Sequence, residues 1–219
     1  DELLRAIWPC DRVVIGVRSC RRLRAALYKA TRALLKVRRV PGQILTADSL
    51  LKFEGYVSFV AIACPAPGPV HSLSAAIGNG FQRLSRLDLR DNFMGLDGAQ
   101  RLAEVLHYCG DLKNLNLSGN YIQSEGIEHL GVFLPRFRGL EVLDLSSNKI
   151  GDRGCKLLAP VMRECRSLSE LSLDVNLIHL DGVSALAHEF GNCPSLSLIN
   201  MSGNYLGDAG VVKVATAIQ

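Results

Sequence analysis

The sequence feature that most constrains this 219-residue chain is a repeat with a period of 28 residues. Five segments align without a gap, and in each one leucine or another apolar residue alternates with polar residues before an asparagine. The segments are LSRLDLRDN, LKNLNLSGN, LEVLDLSSN, LSELSLDVN and LSLINMSGN, and they begin at Leu84, Leu112, Leu140, Leu168 and Leu196. A fixed period of this length is typical of an architecture in which each unit buries its apolar side by stacking on its neighbours.

Hydrophobic spacing changes within each unit. Leu87 and Leu89 alternate with charged residues, which is the period of two expected of a half-buried strand. Further along the chain, Ile127, Leu130 and Leu134 recur at three- and four-residue spacings, which favours an amphipathic helix. The closing asparagines are predicted to be structural, because a buried amide satisfies turn backbone groups that no strand ladder reaches. They are Asn92, Asn120, Asn148, Asn176 and Asn204, and each is followed six residues later by a glycine.

The motif LxxLxLxxN, with a glycine-containing turn and a helix after it, resembles the leucine-rich repeat. Its 28-residue unit is similar to that of the ribonuclease-inhibitor-like class. The resemblance covers residues 84–219 as five repeats and implies an α/β solenoid, a short horseshoe arc with parallel strands on the concave face and helices on the convex face. It also implies a non-catalytic recognition scaffold without a cofactor.

Residues 56–83 are expected to form a degenerate capping repeat before the five regular ones. Tyr56, Phe59, Ala61 and Cys64 each lie 28 residues before the corresponding position of the next unit, and cysteine is an accepted substitute for the asparagine. This alignment equates Phe59 with the position of Leu87. Prolines interrupt the match after Cys64.

The charge of the chain is divided unevenly. Residues 1–40 contain 11 Lys and Arg against 3 Asp and Glu, a surplus of eight positive charges, whereas residues 41–219 contain 14 against 18. Apolar residues within 13–39 alternate at spacings of three and four, so we predict a basic amphipathic helix within an N-terminal extension over residues 1–55. Its cationic side includes Arg18, Arg22, Arg32 and Arg39. Three interpretations stay open: a cap on the solenoid, a docking arm for RNA, an acidic protein or an anionic membrane, and a retained mitochondrial-targeting-like segment.

Two surfaces are candidate sites for a partner. The concave floor should present charged residues from alternate strand positions, and the residue after each asparagine should form a partly aromatic rim. The candidates are Arg86, Asp88, Arg90, Asp144, Glu170 and Asp174 on the floor, and Phe93, Tyr121 and Tyr205 on the rim. Because the floor is mildly acidic, tight binding there would need a basic partner.

Catalytic and metal-binding motifs are not found in the sequence. The five histidines lack metal-ligand spacing, and the seven cysteines form no CxxC pair, so we expect free thiols, a reducing compartment and no metal site. Cys109, Cys165 and Cys193 share one repeat position with Phe137, which indicates a buried apolar slot. No apolar run reaches the roughly 18 residues of a membrane-spanning helix.

The sequence therefore favours a protein–protein interaction scaffold, not an enzyme, within an intracellular assembly, either cytoplasmic or mitochondrial. One alternative is an RNA- or ribosome-associated subunit that binds nucleic acid through the basic extension. Another is a regulator of an enzyme or GTPase, because the repeats are also similar to those of the Ran GTPase-activating protein. The chain lacks an initiator Met and stops within a predicted helix, so we expect it to be part of a longer protein.

Overall fold

The structure of the chain is a computed structural model that describes residues 12–17, 57–63, 84–106 and 109–217. Its described strands form one sheet of seven in chain order. They are β1 (Arg12–Val17), β2 (Val57–Ala63), β3 (Arg86–Asp88), β4 (Asn114–Asn116), β5 (Val142–Asp144), β6 (Glu170–Ser172) and β7 (Leu198–Asn200). β1 and β2 are antiparallel, and every later pair is parallel.

One helix follows each strand from β3 onwards. These helices are α1 (Gly95–Leu106), α2 (Gln123–Gly131), α3 (Gly151–Glu164), α4 (Leu180–Phe190) and α5 (Gly207–Ala217), and consecutive helices pack on one another. A parallel sheet whose strands alternate with helices confirms the expected α/β solenoid. Leu134 departs from the predicted helical spacing, because α2 ends at Gly131 and Leu134 begins a short 3-10 turn that contains Pro135.

The core lies between the strand layer and the helix layer. Paired residues of neighbouring strands are 28 positions apart from β3 to β7, so Leu87, Leu115, Leu143 and Leu171 form a continuous row. All four are at most 1% exposed. Burying a leucine contributes about 1.5–3 kcal/mol, so stability comes mainly from stacking the units rather than from any one of them.

The repeated asparagines form a ladder of hydrogen bonds between consecutive turns. Oδ1 of Asn148 accepts hydrogen bonds from the backbone N–H groups of Asn120 at 3.0 Å and Ile122 at 3.2 Å. Its Nδ2 donates to the carbonyl oxygens of Leu117 at 2.8 Å and Leu145 at 3.0 Å. Because the side chain is fully buried, water cannot replace these partners, and the asparagine joins one unit to the previous one.

The repeated glycines occupy the first turn of each helix, where the helix approaches the side chain four residues earlier. At Gly126, an added Cβ would lie 2.4 Å from Cγ2 of Ile122 and 3.2 Å from Cβ of Ala99. A contact below 3.0 Å cannot form without a shift of the neighbouring atoms. Glycine at this position therefore lets Ile122 fill the core and lets α2 pack closely on α1.

The N-terminal prediction of a helix from residue 13 is wrong for residues 13–17, which belong to strand β1. The run RVVIGV contains three valines and an isoleucine, whose branched side chains favour extended backbone, and Gly16 weakens a helix. The three-and-four spacing of apolar residues was outweighed by these local preferences. The rest of the predicted helix, with Arg18, Arg22, Arg32 and Arg39, lies outside the described residues.

The register of β2 also differs from the expected one. β2 pairs in parallel with β3, but Val60 lies beside Leu87 and Phe59 beside Arg86. The offset is therefore 27 residues rather than 28, and the alignment of Phe59 with Leu87 is wrong. The strand sequence VSFVAIA is apolar at consecutive positions, so its pattern does not distinguish two registers that differ by one residue.

Candidate functional site

The concave floor is formed by the outward-facing side chains of the strands and the residues just after them. At its N-terminal end, Arg86 and Arg90 are exposed. Asp88, which lies between them in the sequence, is partly buried. Nε of Arg90 donates to both carboxylate oxygens of Asp88 at 3.0 Å. This hydrogen bond, together with the charge of Asp88, raises the pKa of the Arg90 guanidinium, so the two side chains act as one neutralised pair.

The C-terminal end of the floor carries carboxylates, and its strands contain no Lys or Arg, although Asp144 also interacts electrostatically with Arg90 at the other end. The Ser146 hydroxyl contacts Oδ1 of Asp144 at 2.6 Å and Oδ1 of Asp174 at a shorter distance. A hydroxyl has one proton and can donate to only one of these carboxylates at a time. Nδ2 of Asn200 donates to Asp174 at 3.2 Å, and Glu170 is exposed on the same face. This end of the floor is therefore negative, whereas the end at β3 is mixed.

The rim begins with a stack of exposed side chains along the turns. The rings of Phe93 and Tyr121 are stacked with centroids 5.7 Å apart. Nζ of Lys149 lies 4.7 Å from the centroid of the Tyr121 ring, which is within the range of a cation–π contact. The three side chains come from consecutive units and form one ordered surface.

The rim continues through Leu177 to Tyr205, whose ring stacks on His179 at 5.0 Å. Leu177 is 45% exposed and Tyr205 is 61% exposed. Oδ1 of Asp152 accepts hydrogen bonds from the backbone N–H groups of His179 at 2.7 Å and Gly182 at 3.0 Å. The carboxylate therefore caps the start of α4 from the previous unit and fixes the loop that carries the His179 ring.

The backbone of the rim is in a conformation that side chains other than glycine rarely adopt. φ is +50° at Phe93, +56° at Tyr121, +56° at Lys149 and +60° at Leu177. The left-handed region costs a residue with a Cβ about 1–2 kcal/mol relative to right-handed backbone. Exposed aromatic and aliphatic side chains recover little of this cost by burial in the fold itself.

The predicted floor residues thus lie on or just after the strands, and the predicted rim residues lie in the turns that follow, with Phe93 and Tyr121 in direct contact. Sequence reasoning missed Val175, which precedes Asn176, is 51% exposed and has a φ of +53°. The repeat alignment could have indicated Val175, because the equivalent positions in two other units are Gly119 and Gly203 and a valine is unusual where glycine recurs. Arg18, Arg22, Arg32 and Arg39 lie outside the described residues, so their relation to this surface is not defined by the structure.

The thiols of the described units are core groups. Cys109, Cys155, Cys165 and Cys193 are buried and free, and the buried position predicted for Cys109, Cys165 and Cys193 is confirmed. Burial raises the pKa of Cys109, Cys155 and Cys165 to about 12 and also raises that of Cys193, so these thiols are not nucleophiles at neutral pH. Within the described ranges, no group of three or more His, Cys, Asp or Glu side chains is placed to hold a metal ion. Likewise, no helix in this part of the chain is long and apolar enough to cross a membrane.

Comparisons with known proteins find similarity in parts of the repeated region. Residues 140–159 and 192–215 match a family described as Leucine Rich repeat, and residues 111–133 match a second one described as Leucine Rich Repeat. A search of curated proteins found no match. Among solved structures, the chain is similar to an internalin from Listeria monocytogenes, with 18% identity over 70% of this chain and a TM-score of 0.45. The chain covers 43% of that internalin.

Proposed function

We propose that this leucine-rich-repeat protein is a non-catalytic protein–protein interaction scaffold and a subunit of a larger intracellular assembly. We place its repeats in the ribonuclease-inhibitor-like class, a proposal supported by the 28-residue offset between paired strands β3 to β7. The free thiols of the described cysteines support a reducing compartment.

The observation that carries the proposal is the rim of exposed apolar and aromatic side chains beside a polar floor. The exposed fractions are 40% for Tyr121, 45% for Leu177 and 61% for Tyr205. Aromatic side chains are typical anchors of protein interfaces. The rim follows consecutive units, so a partner would contact several units at once.

Site-specific photo-crosslinking in cells tests this role. A benzoylphenylalanine at Tyr205 should form covalent adducts with another protein, because the side chain lies on the proposed interface. The matched control is Val132, which is equally exposed at 61% but lies at the end of α2 on the helical side. Adducts that are equally abundant at both positions, or absent from both, would contradict the proposed interface.

A second candidate function is RNA binding through the N-terminal extension, favoured by the surplus of eight positive charges in residues 1–40. Phosphate contacts release counterions, so affinity for RNA would fall steeply as salt concentration rises. Removing residues 1–40 should then abolish RNA binding and leave the Tyr205 adducts unchanged. RNA binding that survives this deletion would exclude the extension as its site.

A further inference from the structure

The fourth unit presents two apolar side chains where its neighbours do not. Asn176 is flanked by Val175 at a φ of +53° and Leu177 at a φ of +60°. A β-branched residue in the left-handed region is an outlier, because its Cβ substituents crowd the backbone. The equivalent positions before the asparagine in the second and fifth units are Gly119 and Gly203. The fold therefore accepts glycine there without difficulty, and the valine side chain is not needed for the turn.

Val175, Leu177 and Tyr205 define an apolar patch at the C-terminal end of the rim. Their exposures are 51%, 45% and 61%. Cγ2 of Val175 would lie 3.0 Å from a Cβ added at Gly203, so Val175 leans over the fifth unit, whose rim residue is Tyr205. The patch therefore spans two units and is more than a single exposed side chain. Contiguous exposed apolar side chains with a polar border are typical of interaction sites.

Charge next to the patch indicates which partner fits. Asp174 directly precedes Val175, and Asp144 and Glu170 lie on the same end of the floor. The floor segments of β5, β6 and β7, residues 142–146, 170–174 and 198–202, contain no Lys or Arg. Lys149 points away, over the ring of Tyr121. Arg90 interacts electrostatically with Asp144, but Asp144, Glu170 and Asp174 still outnumber the cations at this end of the floor. A partner that reaches the apolar patch therefore meets a surplus of carboxylates, which attract cations and repel phosphate groups.

We propose that this end of the solenoid binds an extended segment of a partner protein in which an apolar side chain is flanked by Lys or Arg. The apolar side chain contacts Val175, Leu177 and Tyr205, and the cationic side chains lie over Asp144, Glu170 and Asp174. This assignment rests on the proposed function and specifies its partner. Nucleic acid and a second copy of the chain are the competing occupants.

The test uses the full 219-residue chain and a fluorescein-labelled peptide of alternating arginine and leucine, followed by fluorescence anisotropy. Val175→Gly should weaken binding of this peptide at least about fivefold, the order expected when one aliphatic contact is lost. Because glycine relieves the left-handed strain, the Tm of this variant should stay level or rise, so weaker binding cannot result from unfolding. The matched control is Ser147→Gly, since Ser147 is also exposed with a φ of +55° but is polar. It should leave the affinity unchanged.

Charge is tested in parallel. Asp174→Asn should weaken binding and reduce its salt dependence, whereas Glu104→Gln on the exposed side of α1 should not. A peptide with glutamate in place of arginine should not bind.

Equal affinities of Val175→Gly and Ser147→Gly for the peptide would overturn the assignment. If Val175→Gly weakened binding of a single-stranded oligonucleotide but not of the peptide, or dissociated a dimer of the chain, the assignment would be overturned in favour of another occupant. If Tyr205 adducts form while Val175→Gly binds the peptide normally, the interaction role stands and only this site is wrong. If neither adducts nor peptide binding occur, both proposals fail.

Discussion

Removing one rung of the asparagine ladder should destabilise the whole solenoid. In Asn148→Ala, the backbone N–H groups of Asn120 and Ile122 lose their acceptor, and the carbonyls of Leu117 and Leu145 lose a donor. Each buried polar group without a partner costs about 1–3 kcal/mol. Counting only the two donors, we expect a loss of about 2–6 kcal/mol, a large fraction of the stability of an ordinary domain.

Urea unfolding followed by circular dichroism measures this loss. The matched control is Asn192→Ala, because Asn192 is exposed and its Nδ2 donates a hydrogen bond to the carboxylate of Glu189 at 3.0 Å rather than to buried backbone. A surface change of this kind should stay within about 0.5 kcal/mol of the parent. If Asn148→Ala unfolded at the same urea concentration as Asn192→Ala, the hydrogen bonds of the ladder would not be stabilising and the reasoning would fail.

Further predictions concern the core, the thiols and the N-terminal extension. Leu143→Ala should leave a cavity in the leucine row and cost about 2–5 kcal/mol, and an unchanged melting curve would show that Leu143 is not buried. All seven cysteines should be alkylated without reductant, and those of the described units only after denaturation, so a stoichiometric disulfide detected by mass spectrometry would contradict a reducing compartment. Because burial raises the pKa of Cys155 to about 12, its thiol stays protonated in the folded chain at pH values where the unfolded thiol ionises. Urea stability should therefore fall as pH rises above about 8.5 towards 12, and Cys155→Ala should remove up to about 1.4 kcal/mol per pH unit of that slope. An unaltered slope would contradict the shift. If the extension binds its partner electrostatically, changing its arginines to glutamine should weaken partner binding and remove the salt dependence of binding, while stability stays within about 1 kcal/mol. The arginines to change are Arg18, Arg22, Arg32 and Arg39. Retained binding with unaltered salt sensitivity would eliminate that role.

The repeated part of the fold was predictable because its constraints recur. Leu143 is buried, Asn148 forms hydrogen bonds between two turns, and the missing side chain of Gly154 leaves room for Ile150. Each of these roles appears in several units at the same spacing. A position that must satisfy the same contacts five times accepts few residue types. The sequence therefore shows it directly, without knowledge of the contacts.

The non-repeating parts were harder to predict. β1 and β2 have no repeated residues that would fix their register. Residues 13–17 fit a helical spacing of apolar residues, but their branched side chains favour a strand. In the candidate site, Val175 was missed because the sequence does not show that this valine is exposed. Its significance depends on a φ of +53°, which only the structure provides.

Hydroxyl-radical footprinting of the chain alone and within its purified native complex tests most directly whether the rim is the partner-binding surface. Solvent-exposed side chains are oxidised in the free chain, and those covered by a partner are protected. We expect Tyr121, Leu177 and Tyr205 to be protected in the complex. Val132 and Val211, which are about as exposed on the helical side, should be oxidised equally with and without the partner. Protection of these two valines, with Tyr121, Leu177 and Tyr205 still oxidised in the complex, would contradict the proposed interface.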